Sequence, residues 1–263
     1  MEPDVVVVGS ANVDLVLPVQ RIPRPGETVL AGAMTRGPGG KGANQAVASA
    51  RAGARTAMVV ALGDDDGGAL LRDALEGVDL SLATTSDAPT GTAIITVEDG
   101  GENSIVVAPG ANGELTLSAA ALTAIGDAKI VLSQLEIPFP TVQAAAAAAK
   151  YFVLNAAPAA ELPDELLAEV DLLVVNETEA DEIAVPGVPV EVVDTTAAGD
   201  TFCGVLVATL AAESTNDSIT PSDLTNAVRR ANVAASLSVQ AAGAIPSVPH
   251  GDAIDARYAE VYL

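Results

Sequence analysis

Asp194-Thr195-Thr196-Ala197-Ala198-Gly199-Asp200-Thr201-Phe202 follows the apolar run 188–193 and opens an apolar stretch over 199–212. A strand that passes through a loop of small residues into a helix is the repeating joint of an α/β fold. The small residues at 197 to 199 let backbone amides crowd around an anion at the helix N-terminus. Asp200 falls in the first helical turn, within reach of such an anion, where a carboxylate accepts a proton from an attacking hydroxyl. An N-capping aspartate is the plain alternative for a lone Gly-Asp; the nine-residue context favours the chemical reading.

The same joint recurs outward from this stretch. Val5-Val6-Val7-Val8 runs into Gly9-Ser10, as a strand buried on both faces does. A helix is predicted over 42–51, a strand over 57–61 and a helix over 66–75. Short strands follow over 130–132, 152–154 and 172–175, with an Ala-rich helix over 144–149 and a last long helix over 224–240. The alternation predicts a layered βαβ domain covering 1–263. Two regions depart from it. Residues 92–98 and 104–108 flank Asp99-Gly100-Gly101 as a hairpin does. Residues 14–19 and 28–33 read as two further strands. Together, about 14–36 and 90–108 predict a small antiparallel sheet beside the α/β core, placed as a lid.

Composition bounds the function. Hydrophobic residues make up 49% of the 263, enough for a large core, and aromatics only 2%, so that core is built of Ala, Val, Leu and Ile. The formal net charge of −23 argues against nucleic acid or an anionic membrane as partner. An anionic substrate would then need local positive charge, and the chain has three lysines, Lys41, Lys129 and Lys150. Cys203 is the single cysteine, which excludes an internal disulfide and fits a reducing cytoplasm. The acidic N-terminus does not read as a signal peptide, and no apolar stretch reaches transmembrane length.

Gly39-Gly40-Lys41-Gly42-Ala43-Asn44-Gln45 is a second glycine-rich segment. It is not a P-loop, because Gly42 stands where a Ser or Thr is required for Mg²⁺, and Ala11 breaks the dinucleotide fingerprint in Gly9-Ser10-Ala11-Asn12. The glycines let backbone approach a small polar ligand, with Asn44 offering donor and acceptor. Asn12 and Asp14 follow the first strand, and Glu136 follows the strand at 130–132; strand C-termini are where α/β sheets bind ligands. An aspartate there accepts hydroxyl hydrogen bonds from a sugar, or simply ends a turn. Asn176-Glu177-Thr178-Glu179 follows the strand at 172–175; its oxygens suit a hydrated Mg²⁺ or, equally, a helix cap.

In this order the motifs resemble the ribokinase branch of the PfkB-type carbohydrate kinases. The likeness runs over nearly the whole chain, through Pro25-Gly26-Glu27-Thr28, Gly63-Asp64-Asp65, Gly101-Glu102-Asn103, Gly110-Ala111-Asn112, Gln134-Leu135-Glu136 and Asn155-Ala156-Ala157-Pro158. It implies a three-layer α/β domain with a mostly parallel central sheet and a β-sheet lid, acting as a cytoplasmic, ATP-dependent ribose kinase or a relative for another sugar or nucleoside. It implies Asp200 as the base, with Ala197, Ala198, Gly199 and Asp200 forming an anion hole. Asn12, Val13, Asp14, Gly40, Lys41, Gly42, Ala43, Asn44 and Glu136 would hold the sugar. Asn176, Asn232, Gly199 and Asp200 would meet the nucleotide, with Asn232 beside the adenine, and Glu179 would order Mg²⁺ through water. K⁺ would lie among Asp194, Thr196, Ser238, Ala241, Gly243 and Ser247. A homodimer through the lid is the implied assembly.

Three joints are short for the crossovers that parallel strands need: at Glu76-Gly77, at Lys150-Tyr151 and at Ala184-Val185. At the last, the resemblance implies a further strand and a nucleotide-touching loop that this chain lacks. Either residues of the natural protein are absent at these joints or they have been deleted; the first is expected.

Overall fold

In the computed structural model the residues described are 2–100, 102–176, 185–213 and 218–263. The strands are β1 (Val5–Val8), β2 (Asn12–Val19), β3 (Thr35–Gly39), β4 (Thr56–Val59), β5 (Ala61–Gly63), β6 (Thr84–Ser86), β7 (Gly91–Glu98), β8 (Asn103–Ala108), β9 (Ile130–Ser133), β10 (Phe152–Asn155) and β11 (Leu172–Val174). The helices are α1 (Lys41–Arg51), α2 (Asp66–Ala74), α3 (Ala119–Asp127), α4 (Phe139–Ala148), α5 (Asp164–Leu167), α6 (Ala198–Glu213), α7 (Pro221–Ser238) and α8 (Gly251–Tyr262).

The four valines of β1 decide the layering. All four are fully buried, and alternate ones enter different cores. Val5 and Val7 pack with Ala46, Leu206 and Ala231 of α1, α6 and α7. Val6 and Val8 pack with Ile125 and Val142 of α3 and α4. Two helical layers thus enclose a five-stranded sheet of order β11-β10-β9-β1-β4, every pair of it parallel. That is the expected three-layer α/β fold. The strand order reverses at β1, with β4 on one side and β9 on the other, and the crevice at such a switch point is where α/β sheets bind ligands.

A second sheet has order β3-β2-β7-β8. Its outer ladders, β2 with β3 and β7 with β8, are antiparallel as expected, whereas the central β2–β7 pair is parallel. The hairpin at Asp99-Gly100 joins β7 to β8. The strand expected over 28–33 is displaced: that segment contributes one bridge, Ala31 to Val19, and the partner of β2 is Thr35–Gly39. Gly37-Pro38-Gly39 has the composition of a turn, but β3 is an edge strand, where proline is tolerated because its missing N–H would face solvent.

One other expectation needs correction. Residues 188–193 form no strand: among the described residues the parallel sheet ends at β11, Val192 and Val193 are exposed, and the Val193 amide donates to the Val239 carbonyl after α7. At Glu76 and Lys150 this chain turns within a few residues. Gly77 turns at φ 84° and Asp79 then bridges Ala57, while Ala149 caps α4 and the chain enters β10 directly. Ala184 lies outside the described residues.

α6 is buried along most of its length between α1 and α7. It lies close against α1 at Gly204, where an added Cβ would stand 2.4 Å from the carbonyl oxygen of Gln45 and 2.5 Å from Cβ of Ala48. Glycine normally costs a helix interior about 1 kcal/mol relative to alanine; here it sets the spacing. Gly204→Ala is expected to destabilise the protein by about 1–3 kcal/mol. Gly126→Ala in α3, whose Cβ would meet nothing nearer than 3.6 Å, should be neutral or stabilising. Urea denaturation of the two variants measures the contrast.

Candidate active site

The loop after β1 brings the first polar groups together. The Ser10 hydroxyl donates to Glu136 Oε2 at 2.5 Å, and the Lys41 amide donates to the same oxygen at 3.2 Å. The Gly42 amide donates to Ser10 Oγ, and the Ala43 amide to the Ser10 carbonyl. Gly40 and Gly42 are required here: at Gly40, with φ 90°, a Cβ would lie 2.6 Å from the Asn12 amide, and at Gly42 equally close to that of Ser10. The expected sugar segment therefore stacks directly on the end of β1.

Strand alternation divides Asn12, Val13 and Asp14. Val13 is buried in the core, so its side chain does not face this niche. Asn12 is held by Asn112, whose Nδ2 donates to Asn12 Oδ1 at 2.8 Å and to the Ala11 carbonyl, while its Oδ1 accepts from the Ala11 amide. Asp14 sits against Gly39, where any Cβ would collide with its carboxylate. Burial pushes the Asp14 carboxyl up to about 7, with the charges of Glu136 and Asp200 adding to the effect.

Asp200 is 7% exposed, in the first turn of α6. Asn44 Nδ2 donates to its Oδ2 at 2.9 Å and Gln45 Nε2 to its Oδ1 at 3.0 Å. Burial raises its pKa; the Lys41 charge and the two amide donors oppose that rise. Ahead of it, Ala197 adopts φ 60°, a left-handed conformation that L-residues other than glycine seldom take. A left-handed residue next to right-handed ones is the backbone signature of an anion nest. Of the expected amides, Ala198 already donates to the Thr195 carbonyl.

A cleft of about 820 Å³ opens on the other side of Asp200, lined by Lys41, Asn155, Asn176, Ala197 to Gly199, Val228 and Asn232 among others. That volume suits a substrate-sized ligand. Asn232 Nδ2 donates to the carbonyls of Val185 and Pro186 at 3.3 and 3.2 Å. Asp200 thus stands between an acidic niche built by Asp14, Glu136 and Asn44 and a larger cleft with one lysine.

Asp194 ties the segment before α6 to the one after α7. It accepts from the Thr196 hydroxyl and amide and from the Gly243 amide, and its own amide donates to the Val239 carbonyl. Burial alone would raise its carboxyl, but these hydrogen bonds outweigh that and hold it below the usual range. Ser238 and Ser247 are buried and donate to the carbonyls of Ala235 and Ala244; the Ala241 amide donates to the Ser238 carbonyl. Asp194, Thr196 and Gly243 are thus brought together, with Ser238 and Ala241 at the end of α7; among the described residues the Ser247 hydroxyl bonds to Ala244 rather than to any of them. The oxygen-only donor set fits a hard monovalent cation. Among the described residues no group of three or more His, Cys, Asp or Glu could hold a metal. Glu179 lies outside the described residues.

Ser10, Gln45, Asn112 and Asn155 complete the site without having been singled out as ligands from sequence. Each lies within a motif quoted above, and Gln45 directly follows Asn44.

Comparison with known proteins follows this geometry. The profile of the pfkB family carbohydrate kinases matches residues 2–187 and 181–251. The chain is 37% identical to a bifunctional ribokinase/ribose-5-phosphate isomerase A of Fructilactobacillus sanfranciscensis, over 95% of this chain; it spans only 55% of that relative's length. It is 35% identical to the ribokinase of Haemophilus influenzae, over 95% of this chain and 96% of that one. That alignment runs over 302 positions but takes in about 250 of the 263 residues (95%), leaving the difference, about 50 positions, opposite gaps in this chain. The two pieces of the family match meet at the Ala184–Val185 joint. Among solved structures, Arabidopsis thaliana ribokinase complexed with ribose and ATP superposes with a TM-score of 0.86 at 31% identity, covering 98% of this chain and 99% of that one.

Asp14 yields a pH prediction. A ligand hydroxyl donating to Asp14 would favour its ionised form, whereas below about pH 7 the empty site holds a proton there. Binding then requires that proton to leave, so ligand affinity falls as pH falls, by up to about tenfold per unit. Calorimetric titration with ribose between pH 5.5 and 8.5 should show this slope in the native protein. In Asp14→Asn the slope should be lost and binding weakened; an unchanged slope would remove Asp14 from the site.

Proposed function

The chain belongs to the pfkB family of carbohydrate kinases, and on that premise we propose that it transfers the γ-phosphoryl group of ATP to the O5 hydroxyl of ribose. The observation that carries this reading is the position of Asp200, a carboxylate held dry by two amides between an acidic niche and a larger cleft. Likeness to ribokinases over 96% of a relative's length supports ribose as the acceptor.

In this reading Asn12, Asp14, Asn44 and Glu136 orient the sugar with its O5 hydroxyl toward Asp200. Asp200 accepts the hydroxyl proton as the oxygen attacks phosphorus and the bond to the leaving diphosphate breaks. The bend at Ala197 and the start of α6 supply positive potential where charge develops, and Lys41 adds a full charge. Mg²⁺, when bound with the nucleotide, would neutralise phosphate charge; Asn176 lines the cleft where its hydration shell would lie. K⁺ near Asp194 would stiffen the loop carrying Ala197.

The mixed β-sheet serves as a lid within a single domain, excluding water from the niche. Its Ile105, Val106 and Val107 are exposed, which supports a dimer through this face. Among the described residues no helix is long and apolar enough to cross a membrane, and the need for ATP supports a cytoplasmic location. A kinase for another sugar or a nucleoside would keep the same Asp200 geometry.

Release of ADP, measured with a panel of pentoses, hexoses and nucleosides in K⁺ or Na⁺, tests the assignment. Ribose in K⁺ should give the highest kcat/KM; a better hexose or nucleoside would replace the substrate. Asp200→Asn keeps the size and removes the base, so kcat should fall on the order of 10²–10⁴ with ribose affinity little changed. Near-normal turnover by that variant would overturn the mechanism.

A further inference from the structure

Gln45 enters the reading above only as one of the two amides on Asp200, and it is fully buried one residue beyond Asn44. Its side-chain nitrogen donates to Asp200 Oδ1 at 3.0 Å and to Asn155 Oδ1 at 3.4 Å. Both partners are acceptors, which fixes the amide orientation: a flipped amide would set oxygen against two oxygens. Its own Oε1 is buried without a hydrogen-bond partner, so the side chain is held by what it donates.

The main chain of Gln45 is keyed to the same helix. Its carbonyl oxygen presses on Gly204, four residues beyond Asp200 and on the same face of α6. One residue of α1 therefore seats its backbone on one turn of α6 and its side chain on the turn before. Asn155, from the C-terminal end of β10, is the third anchor. The link spans both helices and the sheet.

We propose that Gln45 is the positioning residue that aims the Asp200 carboxylate, fixing Oδ1 against α1 and β10 so that the group stays ionised and directed at the acceptor hydroxyl. The inference rests on the base role proposed for Asp200. Several groups face this carboxylate. Lys41 and Asn44 reach it from α1, Glu136 from the loop after β9, and Asp14 from β2; Cys203 is buried one turn on along α6. Lys41 and the two amides favour the charged form, and the acids and burial oppose it. Asn44 is also placed on the sugar, whereas the side-chain hydrogen bonds of Gln45 among the described residues go to Asp200 and Asn155, so replacing that side chain isolates the positioning effect.

Gln45→Leu keeps the shape and deletes the donor. The test is ¹³C NMR titration of the Asp200 carboxyl in the whole protein, with the pH profile of kcat measured beside it. Loss of a hydrogen bond to a charged group should move the Asp200 midpoint up by about one to two pH units. The acidic limb of kcat should move with it, activity should recover at high pH, and the KM for ribose should stay near the native value. Gln45→Met serves if the leucine variant does not fold. An unmoved Asp200 midpoint would overturn the inference, as would a fall in kcat of equal size at every pH with a raised KM, which marks a packing role. Native protein that releases no ADP with ribose would overturn the proposed function instead, and the NMR titration would still decide the role of Gln45.

Discussion

Two side-chain amides on consecutive residues of α1 hold one carboxylate at the start of α6, and the rest of the site is arranged around that clamp. An aspartate this buried would ordinarily take up a proton, since burial disfavours its charged form. Asn44, Gln45 and the nearby Lys41 oppose that drift. The clamp works only if α1 and α6 lie unusually close, and Gly204 permits the approach. Helix packing in one layer and the proton affinity of one oxygen pair are therefore a single constraint.

The second sheet brings its own acid to the same place. β2 leaves the core through Ala11 and Asn12, where the Asn112 side chain satisfies the Ala11 amide and carbonyl as a neighbouring strand would. Asp14 follows at a position buried enough to reach about 7, beside Glu136 and Asp200. Carboxyl groups gathered this closely raise one another's proton affinity, an unfavourable arrangement that hydroxyl donors on a bound ligand would relieve. Asp14 and Glu136, two of the chain's 35 acidic residues, thus meet on one side of Asp200, and Lys41 lines the cleft on the other.

Much of this was legible in the chain itself. The valines of β1, the small-residue run ahead of Asp200 and the Gly39 to Asn44 segment announce an α/β sheet with ligand loops at its strand ends, because burial on both faces and close backbone approach each demand particular residue types. Strand β3 was misplaced because Gly-Pro-Gly has turn composition and only its edge position permits a strand. Residues 188–193 were read as a strand on apolar content alone, which cannot supply a hydrogen-bonding neighbour. Ser10 and Gln45 escaped because their partners, Glu136 and Asp200, lie 126 and 155 residues away. Sequence pattern reports which face is apolar, not which distant side chain a buried amide will meet.

The claim at the centre of this account is that Asp200 takes a proton from one particular hydroxyl, the O5 of the bound sugar. Comparing ADP release with ribose and with 5-deoxyribose, at concentrations shown by calorimetry to saturate the site, tests it most directly. The account predicts that 5-deoxyribose binds but supports no turnover above the ATP hydrolysis seen without sugar. Comparable turnover with the two sugars, and a phosphorylated 5-deoxyribose in the products, would contradict it.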